Sequence, residues 1–140
     1  MQGVMMQSAA MSTEITLLGW SVVLLFLQLS LQAVLAVGEL GLPYAMGPHD
    51  DRRQVQGVYA GRAERAFYNL LQTYAAFVAL ALALAVTGKT GGMGALGAQI
   101  WFWSRVAYVP LYLVGIPGPR TLAFAASVVG LAMMLIRLFS

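Results

Sequence analysis

Residues 15–37 read ITLLGWSVVLLFLQLSLQAVLAV, an apolar run interrupted chiefly by Ser21, Gln28, Ser30 and Gln32. A helix rising about 1.5 Å per residue crosses a hydrocarbon layer of roughly 30 Å with a run of this length. Ser12 and Thr13 stand where an N-cap is needed, and Glu14 suits the positive end of the helix dipole. The segment behaves as a membrane-spanning helix, and the rest of the chain repeats it.

Three further runs follow, at about 62–86, 95–114 and 121–139. The stretch 75–86 is almost entirely Ala, Leu, Val and Phe, and small residues of this kind let helices approach closely in lipid. Between the first two runs, residues 38–61 collect Gly41, Pro43, Gly47, Pro48, Asp50, Asp51, Arg52 and Arg53, which marks the longest aqueous loop. Residues 87–92, with Lys89, form a short turn; at 115–119, Pro117 and Pro119 read as a stop because proline cannot continue a helix. A transmembrane barrel would show alternating segments of about ten residues, which these runs are not. The expected fold is all-α: a transmembrane four-helix up-down bundle over residues 13–140, preceded by a flexible extension at 1–12.

Composition supports lipid as the solvent. The 140 residues are 60% hydrophobic and 9% charged, against roughly 25% charged in soluble domains. A mean hydropathy of +0.77 agrees. The net charge of +3 comes from eight basic and five acidic residues, with no dense basic stripe to track a phosphate backbone, so nucleic acid is not an expected partner. Without cysteine there is no disulfide, thiolate metal site or cysteine nucleophile. His49, the only histidine, sits beside Asp50 and Asp51 and reads as a solvated loop residue, so no metal site is expected. The first ten residues lack the basic n-region of a secretory signal, and Met1, Met5, Met6 and Met11 are alternative starts. Glu14 precedes the apolar run, where water should reach it, unlike the membrane-embedded glutamate of small multidrug transporters. Arg52, Arg53, Arg62, Arg65 and Arg120 lie on one side of the bundle, against Lys89 and Arg137 on the other. The positive-inside rule then places both termini outside the cytoplasm.

The polar residues of the second and third runs are ordered. Arg62, Arg65, Asn69 and Gln72 are spaced three, four and three apart, so they share a helix face; Arg105, Tyr108 and Tyr112 repeat the device. An arginine at the centre of a span costs about 2.5–3.5 kcal/mol even on insertion scales, so Arg105 must face protein or water. Each residue alone could serve structure: Arg62 and Arg120 on lipid headgroups, Arg65, Asn69 and Gln72 between helices, the tyrosines at the interface. As a set they lack acidic partners, Glu64 lying on a different face, and an anionic ligand would relieve the cost of grouped cations. Gln28 and Gln32 share a face of the first helix and are expected to bond to its neighbours.

In the stretches Arg62-Ala-Glu-Arg65-Ala-Phe-Tyr-Asn69-Leu-Leu-Gln72, then Phe77, and Arg105-Val-Ala-Tyr108-Val-Pro-Leu-Tyr112, then Arg120, the chain resembles the MAPEG family, the membrane-associated proteins in eicosanoid and glutathione metabolism. The likeness runs from Ile15 to the C-terminus and suggests a divergent, bacterial-type member of the inner membrane. It implies a homotrimer that binds glutathione between subunits and acts as a transferase or peroxidase on lipophilic electrophiles or lipid peroxides. By matching position, Arg65, Asn69, Arg105 and Tyr112 would hold the tripeptide, joined by Arg62, Gln72 and Tyr108; Arg120 would favour the thiolate and be the catalytic residue. Arginine forks suit two carboxylates, and a nearby cation lowers a thiol pKa. The chain departs from the family where Gln72 replaces glutamate, Phe67 a frequent histidine and Ala76 a common proline. A second reading therefore stands beside the enzyme: a non-enzymatic assembly subunit for another membrane protein, or a lipid-binding module.

Overall fold

A computed structural model describes residues 10–48 and 53–140. The expectations for residues 1–9, His49, Asp50, Asp51 and Arg52 lie outside the described residues. The chain forms α1 (Thr13–Leu40), α2 (Leu42–Met46), α3 (Val58–Val86), α4 (Gly92–Val114) and α5 (Pro117–Phe139), with no strand among the described residues.

The helix ends follow from local chemistry. Ser12 caps α1, its Oγ accepting from the Ile15 N–H at 3.3 Å. Gly41 stops α1 at φ 92°, a conformation that favours glycine, while its N–H closes on the Val37 carbonyl. The single-turn α2 inside the long loop was not expected; its proline lies in the first turn, where the missing N–H has no helical acceptor to lose. The helix of the third run, α4, stops at Val114 as the sequence suggested, but for the same reason Pro117 and Pro119 belong to the first turn of the next helix rather than to a loop. Only Gly115 and Ile116 separate α4 from α5, and Pro117 opens α5.

α3 and α4 form the central pair, and each touches all three other long helices. α1 and α5 flank that pair without touching each other among the described residues. Phe77 of α3 stacks on Trp101 of α4, ring centroids 3.9 Å apart and nearly coplanar at 7°. Around them Leu70, Ala81, Leu84, Ala98 and Met134 are fully buried. The Ser21 hydroxyl meets that of Tyr74 at 2.9 Å, fixing the register of α1 against α3. α4 and α5 cross where glycine permits it: a Cβ on Gly97 would lie 2.5 Å from the Gly130 carbonyl oxygen, and one on Gly130 equally close to that of Gly97. Close crossing at small residues is the usual packing device in lipid.

Three helices, α1, α3 and α5, are long and apolar enough to cross a membrane. At 23 residues α4 has the length, but Gln99, Ser104, Arg105, Tyr108 and Tyr112 dilute its hydropathy. It buries much of that polarity against its neighbours, Arg105 and Tyr108 included.

At the end of the bundle that holds the N-terminus of α1, charged side chains tie helix termini together. Glu14 is fully buried rather than wetted as expected, because its Oε2 accepts the Gly91 N–H at 2.8 Å and caps α4. Lys89 donates to the Leu138 carbonyl at 2.8 Å, and Arg137 Nε donates to the Lys89 carbonyl at 3.1 Å. Acid at a helix start and bases near a helix end both oppose the helix dipole.

Gly97→Val or Gly130→Val is expected to destabilise the protein by about 1–3 kcal/mol through overpacking. Gly19→Ala, at an open helical position with nothing within 4 Å, should instead gain about 0.5–1 kcal/mol. Thermal melts of the three variants in detergent check both signs.

Candidate functional site

The opposite end of the bundle is built by the start of α3, the end of α4 and the start of α5. α3 has no cap from its own N-cap residue, Gly57. Glu39, in the last turn of α1, takes that part: its Oε1 accepts from the N–H groups of Gln56 and Gly57, the latter at 2.7 Å. This tie fixes the first turns of α3, which carry the arginines.

Arg62 donates from Nη1 to the Leu113 carbonyl at 2.8 Å, at the C-terminal end of α4. Its guanidinium lies against Gly115, where φ is 84° and a Cβ would come within 2.7 Å of Nη2. Arg62 thus supplies a cation where α4 presents its last free carbonyls, and Gly115 leaves the space for it. The sequence placed Arg62 among ligand contacts; the structure gives it this backbone partner.

The other residues form a ladder along α4. Arg105 is fully buried, with its guanidinium carbon 4.6 Å from the centroid of the Tyr108 ring. Tyr108 is itself buried, and its ring lies 5.4 Å from that of Tyr112. Tyr112 then receives two cations. Arg65 Nε donates to its hydroxyl at 3.2 Å, and the Arg120 guanidinium sits over its ring at 4.7 Å. Three arginines from three helices converge on two adjacent tyrosines with tilted rings, and none pairs with a carboxylate among the described residues. Such cation–π contacts are worth about 0.5–2 kcal/mol each, which offsets only part of a buried guanidinium's lost hydration.

Several buried polar atoms have no hydrogen-bond partner, among them Oε1 of Glu14 at the far end of the molecule. Nε, Nη1 and Nη2 of Arg105 are all buried without an acceptor, and Oδ1 of Asn69 is buried without a donor. Both polar atoms of Gln28 and Nε1 of Trp101 are in the same condition. Gln28 therefore does not bond to its neighbours as the sequence suggested. The Ser21–Tyr74 contact sets α1 antiparallel to α3, and two turns beyond Ser21 bring Gln28 to the depth of Ala66–Leu70. The Phe77–Trp101 stack sets α4 antiparallel to α3 and brings Tyr108 close to the depth of Asn69. Gln72, by contrast, is exposed, as is Arg65 despite its bond to Tyr112. The set is an electropositive face with a buried cationic root: it can hold an anion but offers no base or metal ligand of its own.

Sequence spacing found the two polar faces but not their meeting point. Tyr112 is that point, and nothing local in the sequence shows that two arginines share it. Phe77, part of the quoted resemblance, is a core residue under Trp101.

Residues 17–140 match the family model described as MAPEG family. Comparison with curated proteins and with solved structures gave no match.

The ladder and the helix-end tie respond oppositely to the same kind of substitution. Arg105→Met removes a buried charge without an acceptor and is expected to raise the stability of the ligand-free protein, by about 1–4 kcal/mol. Arg62→Met removes a charged hydrogen bond to a helix end and should lower it by about 1–3 kcal/mol. Paired thermal melts without ligand compare the two.

Proposed function

This chain belongs to the MAPEG family, and from that membership and its arginine–tyrosine ladder we propose that it is a membrane-bound glutathione-dependent transferase or peroxidase acting on lipophilic electrophiles or lipid peroxides. We read it as a homotrimer of four-span subunits, with α4 the most shielded span. The face bearing Arg53, Arg62, Arg65 and Arg120 would be cytoplasmic, as the positive-inside rule requires.

The observation that carries this reading is the fully buried Arg105 guanidinium, with all three nitrogens unpartnered; the Oδ1 of Asn69 on α3 is buried and unpartnered as well. A tripeptide with two carboxylates and peptide N–H groups supplies both missing partners: acceptors for arginine and a donor for Asn69. When bound, glutathione contributes a thiolate that forms a carbon–sulfur bond with an electrophile or reduces a peroxide. The chain's own part is placement and charge. Arg65 and Arg105 would grip carboxylates, Tyr112 holds Arg65 in position, and Tyr108 packs under Arg105. Arg120 lies in the first turn of α5, at the positive end of that helix's dipole, and it would hold the thiol in its deprotonated form. Exposed apolar side chains on α1 and α4, such as Trp20 and Trp103, open the molecule to substrates dissolved in lipid.

Gln72 favours a second reading, the non-enzymatic assembly or lipid-binding module. Without the family's glutamate there, the ligand's ammonium loses its expected partner.

Isothermal titration of the detergent-purified protein with glutathione, together with conjugation of chlorodinitrobenzene, separates the two. The enzyme reading expects saturable binding at millimolar glutathione or below. It also expects Arg120→Ala to cut turnover about tenfold or more, equivalent to ~1.4 kcal/mol or more, while affinity changes little. Gln72→Glu should tighten binding. Absence of binding at millimolar glutathione, or full turnover in Arg120→Ala, would remove the catalytic reading.

A further inference from the structure

A separate cavity of about 340 Å³ opens on the side of α3 away from the ladder, between the last turns of α1, the short α2 and the first turns of α3. Arg65 and Glu64 are consecutive and so point about 100° apart on the helix. Arg65 turns to Tyr112 of α4, whereas Glu64 turns into this cavity. The floor is apolar, formed by Ala33, Ala36 and Val37 of α1; Tyr44 and Tyr68 stand on the wall with Glu64. Arg53 also lines the cavity, its guanidinium 5.1 Å from the centroid of the Tyr44 ring.

Glu64 is singled out by elimination. Of the described acidic residues, Glu14 accepts from the N–H of Gly91 and Glu39 from those of Gln56 and Gly57. Glu64 is half-buried and has neither a hydrogen bond nor an ion pair among the described residues. A carboxylate in a cavity also lined by two tyrosines attracts a cation by charge and offers it ring faces. The cavity lies where the apolar run of α1 gives way to the polar loop, the depth of lipid headgroups. Its alanine and valine floor suits methylene groups.

We propose that this cavity binds the headgroup of a zwitterionic phospholipid bearing a primary ammonium, with Glu64 as the counter-ion of the ammonium and the α1 floor under the glycerol and upper acyl segment. This site is independent of the glutathione reading, since none of the ladder residues lines it.

The test is native mass spectrometry of the purified full chain offered equal amounts of phosphatidylethanolamine and phosphatidylglycerol with identical tails. The wild type should retain the ethanolamine lipid about fivefold over the glycerol lipid, the effect of one partly screened ion pair. Glu64→Gln should bring the two lipids to parity. Ala36→Trp, which fills the floor and leaves every charge in place, should also abolish the preference. Equal retention by the wild type overturns the proposal, as does a preference that survives Glu64→Gln. Should Ala36→Trp fail to fold, the isosteric Glu64→Gln decides alone.

Discussion

A guanidinium shut inside an apolar bundle without an acceptor is the most expensive group in this molecule, and the arrangement around it follows from that expense. Arg105 cannot face lipid, so α4 must lie at the centre, touching α1, α3 and α5. Central placement in turn demands close neighbours. Gly97 and Gly130 let α5 approach to backbone contact, and Phe77 lies flat on Trp101 to bring in α3. Tyr108 offers the guanidinium a ring face in place of water. Stability alone gives no reason to keep such a charge, since an apolar residue of similar volume would be at least as stable there.

The remaining charges show how sparingly the chain uses them. Its 140 residues include only 13 charged ones, eight basic and five acidic. Several of these close the end of a neighbouring helix: Glu14 the start of α4, Glu39 the start of α3, Arg62 the end of α4 and Lys89 the end of α5. In lipid an unsatisfied backbone group costs several kcal/mol, so a side chain that satisfies one across a helix boundary also locks the two helices together. The tie from Glu39 to α3 and the tie from Arg62 to α4 run in sequence. They connect the end of α1 to the turn that presents Tyr112 and Arg120. Placement of the candidate site is thus a consequence of helix-end chemistry at the same end of the bundle.

What the sequence revealed, and what it hid, divides along the same line. Periodic features were legible: the apolar run from Ile15, the face shared by Arg62, Arg65, Asn69 and Gln72, the face shared by Arg105, Tyr108 and Tyr112, and the Ser12 cap. Each is written in local spacing that a helix reads directly. Long-range ties were not legible. The burial of Glu14 depends on where the α4 N-terminus arrives, 77 residues along the chain. The stop after Val114 was legible, but the helix of the fourth run, α5, starts earlier than expected, at Pro117, because proline breaks a helix interior and fits a helix start. Gln28 was expected to find partners and has none among the described residues. The glycine crossing left a faint trace in the sequence, Gly94 and Gly97 one turn apart, but its partner Gly130 could not be named without the fold.

The catalytic proposal requires Arg105, Arg65 and Arg120 to serve one anion. An electron cryo-microscopy map of the protein in lipid nanodiscs with saturating glutathione tests it most directly. Ligand density is expected in contact with the Arg65 and Arg105 guanidinium groups, its sulfur end toward Arg120. A map in which Arg105 pairs with a protein carboxylate, and the ladder bears no ligand density, would contradict it.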